Sequence, residues 1–329
     1  MGNPLIRYES GQTAQPFEAM DDTGDRQTFE GSIFPLSGAA GAEPVVAPYG
    51  LTTGGDISAT ANPDEVSVSA LTASMAGATS ADSQGNIAVS AATVTVVRAT
   101  TDTHIINSIT VTEAGAVEAI QGTEGTSFSE TRGAAGGPPL IPVTSIEIGQ
   151  VGLSDQASAV VTSGEIFTVI GQHVERSDQP VFQLDSGRGT VTFAAELPAI
   201  HTGDVPKKVF IKGSTPLFAP IPNASAWVPA ESTFSINSTD TYDGPVGSAS
   251  SSLNQATFDA VLKDGITDAF LALKGDNLWF EFRPDRNKTN VRMLTQGIFG
   301  VSRTFPAGGG SITASCTITP QSETLDLKE

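Results

Sequence analysis

A chain of 329 residues, 39% hydrophobic and only 16% charged, holds enough apolar material for a substantial core, and its length suits about two domains. Its net charge of −19 argues against a protein that grips nucleic acid or an anionic membrane, since that affinity comes from Lys and Arg displacing counterions from phosphates. With Cys316 as the single cysteine, an internal disulfide framework is excluded.

The acidity is uneven: the first 140 residues carry Arg7, Arg26, Arg98 and Arg132 against 16 acidic residues, and no lysine precedes Lys207. Met1 to Arg7 lack the basic start and long apolar run of a secretory signal, and no segment approaches the length of a membrane-spanning helix. A soluble protein assembled in the cytoplasm is expected, with no membrane partner, and the Asn-x-Ser/Thr triplets at Asn223, Asn237 and Asn287 are then chance matches.

Residues 1–42 read as an extended arm, with acidic Asp21, Asp22 and Asp25, isolated Phe17, Phe29 and Phe34, and a flexible stop at Gly38 to Ala42. So polar a segment has no core of its own, and a neighbouring subunit is a good candidate to hold it. Residues 43–163 read as a small acidic all-β module, with strands at 66–71, 87–97, 105–111, 117–120 and 143–153 and turns at 83–86 and 113–116. The run Gly133 to Pro139 is loop.

From about Gly164 the strand signals resume at 166–170, 189–194 and 209–212. Residues 201–252 then form a long Pro/Ser/Asn-rich stretch read as a functional loop, broken by Phe234-Ser235-Ile236. Leu253 to Leu262 carries apolar residues at helical spacing with Ser or Asn before it and Asp264-Gly265 after it, which predicts one α-helix over 253–262. Strands at 277–282, 297–305 and 311–319 complete a sheet, the last two forming a hairpin across Gly308, Gly309 and Gly310. In the final run Ile312, Ala314, Cys316 and Ile318 alternate with Ser311, Thr313, Ser315, Thr317 and Thr319, the period of a strand half buried against a core.

Residues able to do chemistry are present but do not form a recognisable centre. His104, His173 and His201 show no metal-ligand spacing, Asp240 to Gly244 lacks the ligand series of a calcium loop, and the Gly-rich runs are not followed by Lys-Ser/Thr. No cofactor and no metal are expected. The basic group Arg283, Arg286, Lys288 and Arg292 stands out against the acidic background, and it reads either as one half of a subunit contact or as a solvated turn.

The order of elements in the second half, with Asp276 to Phe282 and Gly297 to Ser302, resembles the tail tube (major tail) proteins of long-tailed bacteriophages over about 164–319. The resemblance implies a mainly β fold: a tail-tube-like β-sandwich over 164–329 with one flanking α-helix, preceded by the small all-β domain and the arm. It also implies a homo-oligomer of hexameric rings stacked into a tube in the virion, beside other tail proteins, with DNA passing through the lumen unbound. Ser311, Thr313, Ser315, Thr317 and Thr319 then become a candidate barrel or lumen face, with plain solvent exposure as the other reading. Two further functions stay open: a β-sandwich adhesin or virion decoration protein whose 201–252 loop binds a host glycan, and a carbohydrate-active enzyme using two of the 36 acidic residues.

Overall fold

The computed structural model describes residues 3–178, 181–241 and 244–328. Among the described residues the chain is mainly β, arranged in several sheets, and its only helical pieces are the short 3-10 turns Ser163–Glu165 and Ala269–Leu273. No helix among the described residues is long and apolar enough to cross a membrane.

The largest sheet runs in the order Ser214–Pro220, Leu5–Ala14, Asn277–Arg283, Val291–Thr304, Thr313–Pro320, Ala256–Val261 and Ala224–Val228, with Leu325–Lys328 added beside Val291–Thr304. Its two end strands are consecutive in sequence, separated only by residues 221–223, and the Ile221 N–H donates to the Ile6 carbonyl at 2.9 Å. So short a link brings the two ends together, and the sheet curls around its own core of Tyr8, Phe258, Phe280, Phe299 and Cys316. Within it Phe258, Phe280 and Phe299 pack at centroid separations of 5.3 to 6.4 Å, and each buried ring contributes about 1.5–3 kcal/mol.

The helix expected over 253–262 is absent. Ala256–Val261 is instead a strand, with Ala256, Phe258 and Ala260 buried and Asp259 and Val261 exposed. The same apolar residues fit both periods, and the partner decides: Phe258 sits opposite Cys316, Ala256 opposite Ile318 and Ala260 opposite Ala314. Large faces small across that pair, so the strand form buries its apolar face in the shared core, which tertiary packing favours over local helix propensity.

A second core, with Val66, Val68, Ile105, Ile109, Ile146 and Val151, lies within the 43–163 segment and also takes in Val174 and Phe210. Ser145–Leu153 is buried along its whole length, so both of its faces are covered. Its ladder with Ile105–Thr112 slips by one residue between Ile109 and Thr110, which leaves Ile148 as the extra residue. The slip keeps Ile146, Ile148, Val151 and Leu153 in the core, while Glu147, Gln150 and Gly152 fall on the opposite face. That face carries the polar features described below.

A third, smaller core joins Phe29 and Leu36 to Val191, Phe193, Leu197 and Ile211. The described part of the first 42 residues is thus built into its own chain. Leu5–Ala14 is a central strand of the large sheet and Thr28–Glu30 pairs with Thr190–Phe193.

The stretch 201–252 is also more ordered than a loop. It contains Val209–Lys212, Ser214–Pro220, Ala224–Val228 and a long hairpin of Ser232–Thr241 with Gly244–Leu253. Tyr242 and Asp243, in the acidic turn noted in the sequence, lie outside the described residues.

Candidate functional site

The Ser/Thr series of the last long strand lies on one face, as its alternation predicts. Ser311, Thr313, Ser315 and Thr319 are exposed and Thr317 is half-buried, while Ala314, Cys316 and Ile318 face the core. Their neighbours extend the same surface: Thr304, Ser302 and Gly300 stand opposite Thr313, Ser315 and Thr317 on one side, and Asp259 and Thr257 lie opposite Ser315 and Thr317 on the other. A Cβ at Gly300 would lie 2.5 Å from the Thr317 Oγ1, so a larger residue there would force the Thr317 hydroxyl to turn away. The result is a flat face of short polar side chains on a tightly packed sheet. On its reverse, burial and then the charge of Asp259 push the Cys316 thiol up to about 12, so it stays a packed, protonated side chain.

The four residues of the basic group have two different environments. Arg283 and Arg292 turn inward, where with Arg7 they surround the fully buried carboxylate of Glu281. Arg7 Nη1 lies 3.3 Å from Glu281 Oε1 and Arg292 Nη1 3.8 Å from Oε2, and Arg283 Nε donates to Oε1. Arg286 and Lys288 remain exposed on the connecting loop, held by backbone bonds to Asn3 and Asp285. One carboxylate cannot neutralise three guanidinium groups, so this corner of an acidic protein keeps a positive excess.

The hairpin of Ser232–Thr241 and Gly244–Leu253 was legible in the sequence only as Phe234-Ser235-Ile236. Its ten paired positions form a sheet of two strands, with no third among the described residues. At about 3.4 Å per residue it is roughly 30 Å long. One face pairs Thr233 with Ser252 and Ser235 with Ser250 through hydroxyl contacts of 3.0 and 2.8 Å. The other presents Phe234 and Ile236, 79% and 80% exposed, above Ser251 and Ala249. A lone two-stranded hairpin is marginally stable in water and both its edges are open to pairing.

The end strands of the large sheet are blunted. Ser214–Pro220 carries Pro216 and Pro220, which cannot donate to a further ladder, and Ala224–Val228 has a bulge between Ser225 and Val228 with Ala226 at φ 56°. These two strands are protected, and the hairpin is not.

Beneath the polar face of Ser145–Leu153 lies a buried ionic network. The Arg132 guanidinium pairs with Glu147 and donates to the Pro139 carbonyl at 2.6 Å, and the Gln150 amide donates to Glu147 at 3.1 Å. Glu175 accepts from the Glu147 N–H at 2.8 Å, and Lys207 donates to the Arg176 carbonyl at 2.8 Å. Burial raises both carboxyls despite their cationic neighbours, lowers Lys207, and lowers His201 to about 4. His104, His173 and His201 do not converge, and among the described residues no group of His, Cys, Asp and Glu is arranged to hold a metal ion. A scan of protein-family models and a search of curated proteins find no match to this chain.

Proposed function

We propose that this protein is a structural subunit that assembles with copies of itself into stacked rings, the tail tube of a long-tailed bacteriophage virion, through which DNA is delivered. The observation that carries this reading is the long, two-edged hairpin with Phe234 and Ile236 in full view of solvent. A monomer has no use for so much unpaired edge and exposed apolar surface, whereas a ring or a stack covers both when the hairpin lies on the next copy. Six subunits to a ring is the number that the resemblance to tail tube proteins implies.

The flat Ser/Thr face supports the same reading. Short hydroxyl side chains on an acidic chain offer DNA neither a cationic grip nor an apolar platform, so a lumen lined with them lets the polyanion slide. The exposed Arg286 and Lys288 give an acidic neighbour a local counter-charge that favours one docking register over others.

Charge on that face provides the test. The double variant Thr313→Lys with Ser315→Lys is expected to keep its fold, since both positions are exposed, and to form tubes under negative stain that retain added DNA where wild-type tubes do not. Variant tubes that retain no more DNA than wild type would show that the face does not line the lumen.

A further inference from the structure

We propose that the cleft above the polar face of Ser145–Leu153 is a binding site for a neutral saccharide. The cleft, of about 520 Å³, is bounded by Phe128, Phe167 and His173 with Arg132 and Gln150 among its lining residues, and its size lies in the range of small-molecule sites. Two features show that it is built rather than incidental.

The first is a row of aromatic rings held at the surface. Phe128 is 45% and Phe167 39% exposed, yet both ring edges converge on Gly152, where an added Cβ would lie 3.2 and 3.1 Å from them. His104 packs edge-on against Phe128 at 4.5 Å and His173 lies 5.7 Å from Phe167, so each phenyl rests against an imidazole. The loop that carries Phe128 is itself tightly folded: Gly136, at φ +76°, stands where a Cβ would fall 2.0 Å from the Ser127 carbonyl. Rings fixed in this way lose little entropy when a ligand covers them.

The second is the polar complement. The side chains of Glu130 and Gln172 line the cleft and make no hydrogen bond within the described chain, so an acceptor and an amide are left for a ligand. His173 Nδ1 accepts from the Val169 N–H at 3.1 Å, which leaves Nε2 as the protonated nitrogen of the neutral ring and a second donor. Burial, with Arg132 nearby, holds that ring below its usual range, so it is neutral at pH 7.

Charge selects the class. Arg132 is the cation of the cleft and is already bound to Glu147 and Pro139, while Glu130 and a net charge of −19 repel anions, nucleotides included. A pyranose fits what remains, since it offers an apolar C–H face to a phenyl ring and a rim of hydroxyls to amide, carboxylate and imidazole. None of the residues lining the cleft is among those assigned to assembly.

The test uses the purified full chain on an array of neutral, amino-sugar and acidic oligosaccharides, followed by calorimetric titration of the hits with Phe128→Ala, Phe167→Ala, the double variant and Phe128→Tyr. The expected result is binding to neutral oligosaccharides that weakens by about tenfold or more in each alanine variant and survives Phe128→Tyr, with urea midpoints unchanged. Failure to bind any neutral oligosaccharide, binding confined to acidic ones, or undiminished affinity in the double variant would overturn the proposal.

Discussion

Replacing Glu281 with Gln is expected to lower the unfolding free energy by about 3–5 kcal/mol, the range found when one partner of a buried ionic group is removed. Glu281 is fully buried on Asn277–Arg283, a central strand of the large sheet, and it is the carboxylate against which Arg7, Arg283 and Arg292 pack. The neutral amide keeps the size of the side chain but leaves the guanidinium groups facing one another in a partly desolvated space. Arg7 is one of three guanidinium groups on Glu281 and also donates to the Phe218 carbonyl at 2.5 Å; Arg7→Ala leaves the carboxylate two partners and is therefore expected to cost less, about 1–2 kcal/mol. Urea unfolding of the three proteins measures both values. Equal midpoints for wild type and Glu281→Gln would mean that the cluster is solvated and contributes little.

Changing both Phe234 and Ile236 to Ser is expected to leave stability within about 0.5 kcal/mol, since neither side chain is covered in the folded chain. Assembly is where the effect falls. The two side chains are 79% and 80% exposed on one face of the hairpin, and their loss should raise the protein concentration needed for assembly by at least about tenfold. Light scattering across a concentration series reads the change. An unchanged onset would place the subunit contact elsewhere and leave the exposed hairpin face without the role assigned to it.

The β character of the chain was legible because strand-length alternation survives in the primary sequence wherever one face meets a core, as in 311–319, where Ala314, Cys316 and Ile318 are buried and Thr313, Ser315 and Thr319 exposed. It failed where the pattern was ambiguous. Leu253 to Leu262 satisfies both helical and strand periods, and only the partner strand with Cys316 and Ala314 settles the choice.

The hairpin of 232–253 was hidden for the opposite reason. One face carries Thr233, Ser235, Ser250 and Ser252, bonded hydroxyl to hydroxyl, so no apolar alternation marks that part of the strands. In the N-terminal segment Ile6 and Tyr8 are the buried apolar residues of a strand, and their partners lie more than 200 positions away, a pairing that local pattern does not reveal.

The candidate sites divided in the same way. The Ser/Thr face is a property of one strand and could be read from it. The basic group was visible as a group, but the inward turn of Arg283 and Arg292 depends on Glu281 and on Arg7 from the far end of the chain. The cleft was not visible at all. Phe128 and Phe167 sit in polar, glycine-rich surroundings 39 positions apart and meet only because Gly152 lets them. An isolated phenylalanine within a Gly/Ser loop was the one signal that could have pointed to it.

The claim on which the account rests is self-assembly, and the most direct measurement is negative-stain microscopy of the purified full chain, paired with sedimentation over a wide concentration range. Rings of uniform subunit number that stack into tubes are the predicted result. A monomer that persists at every concentration, with no rings on the grid, would contradict it.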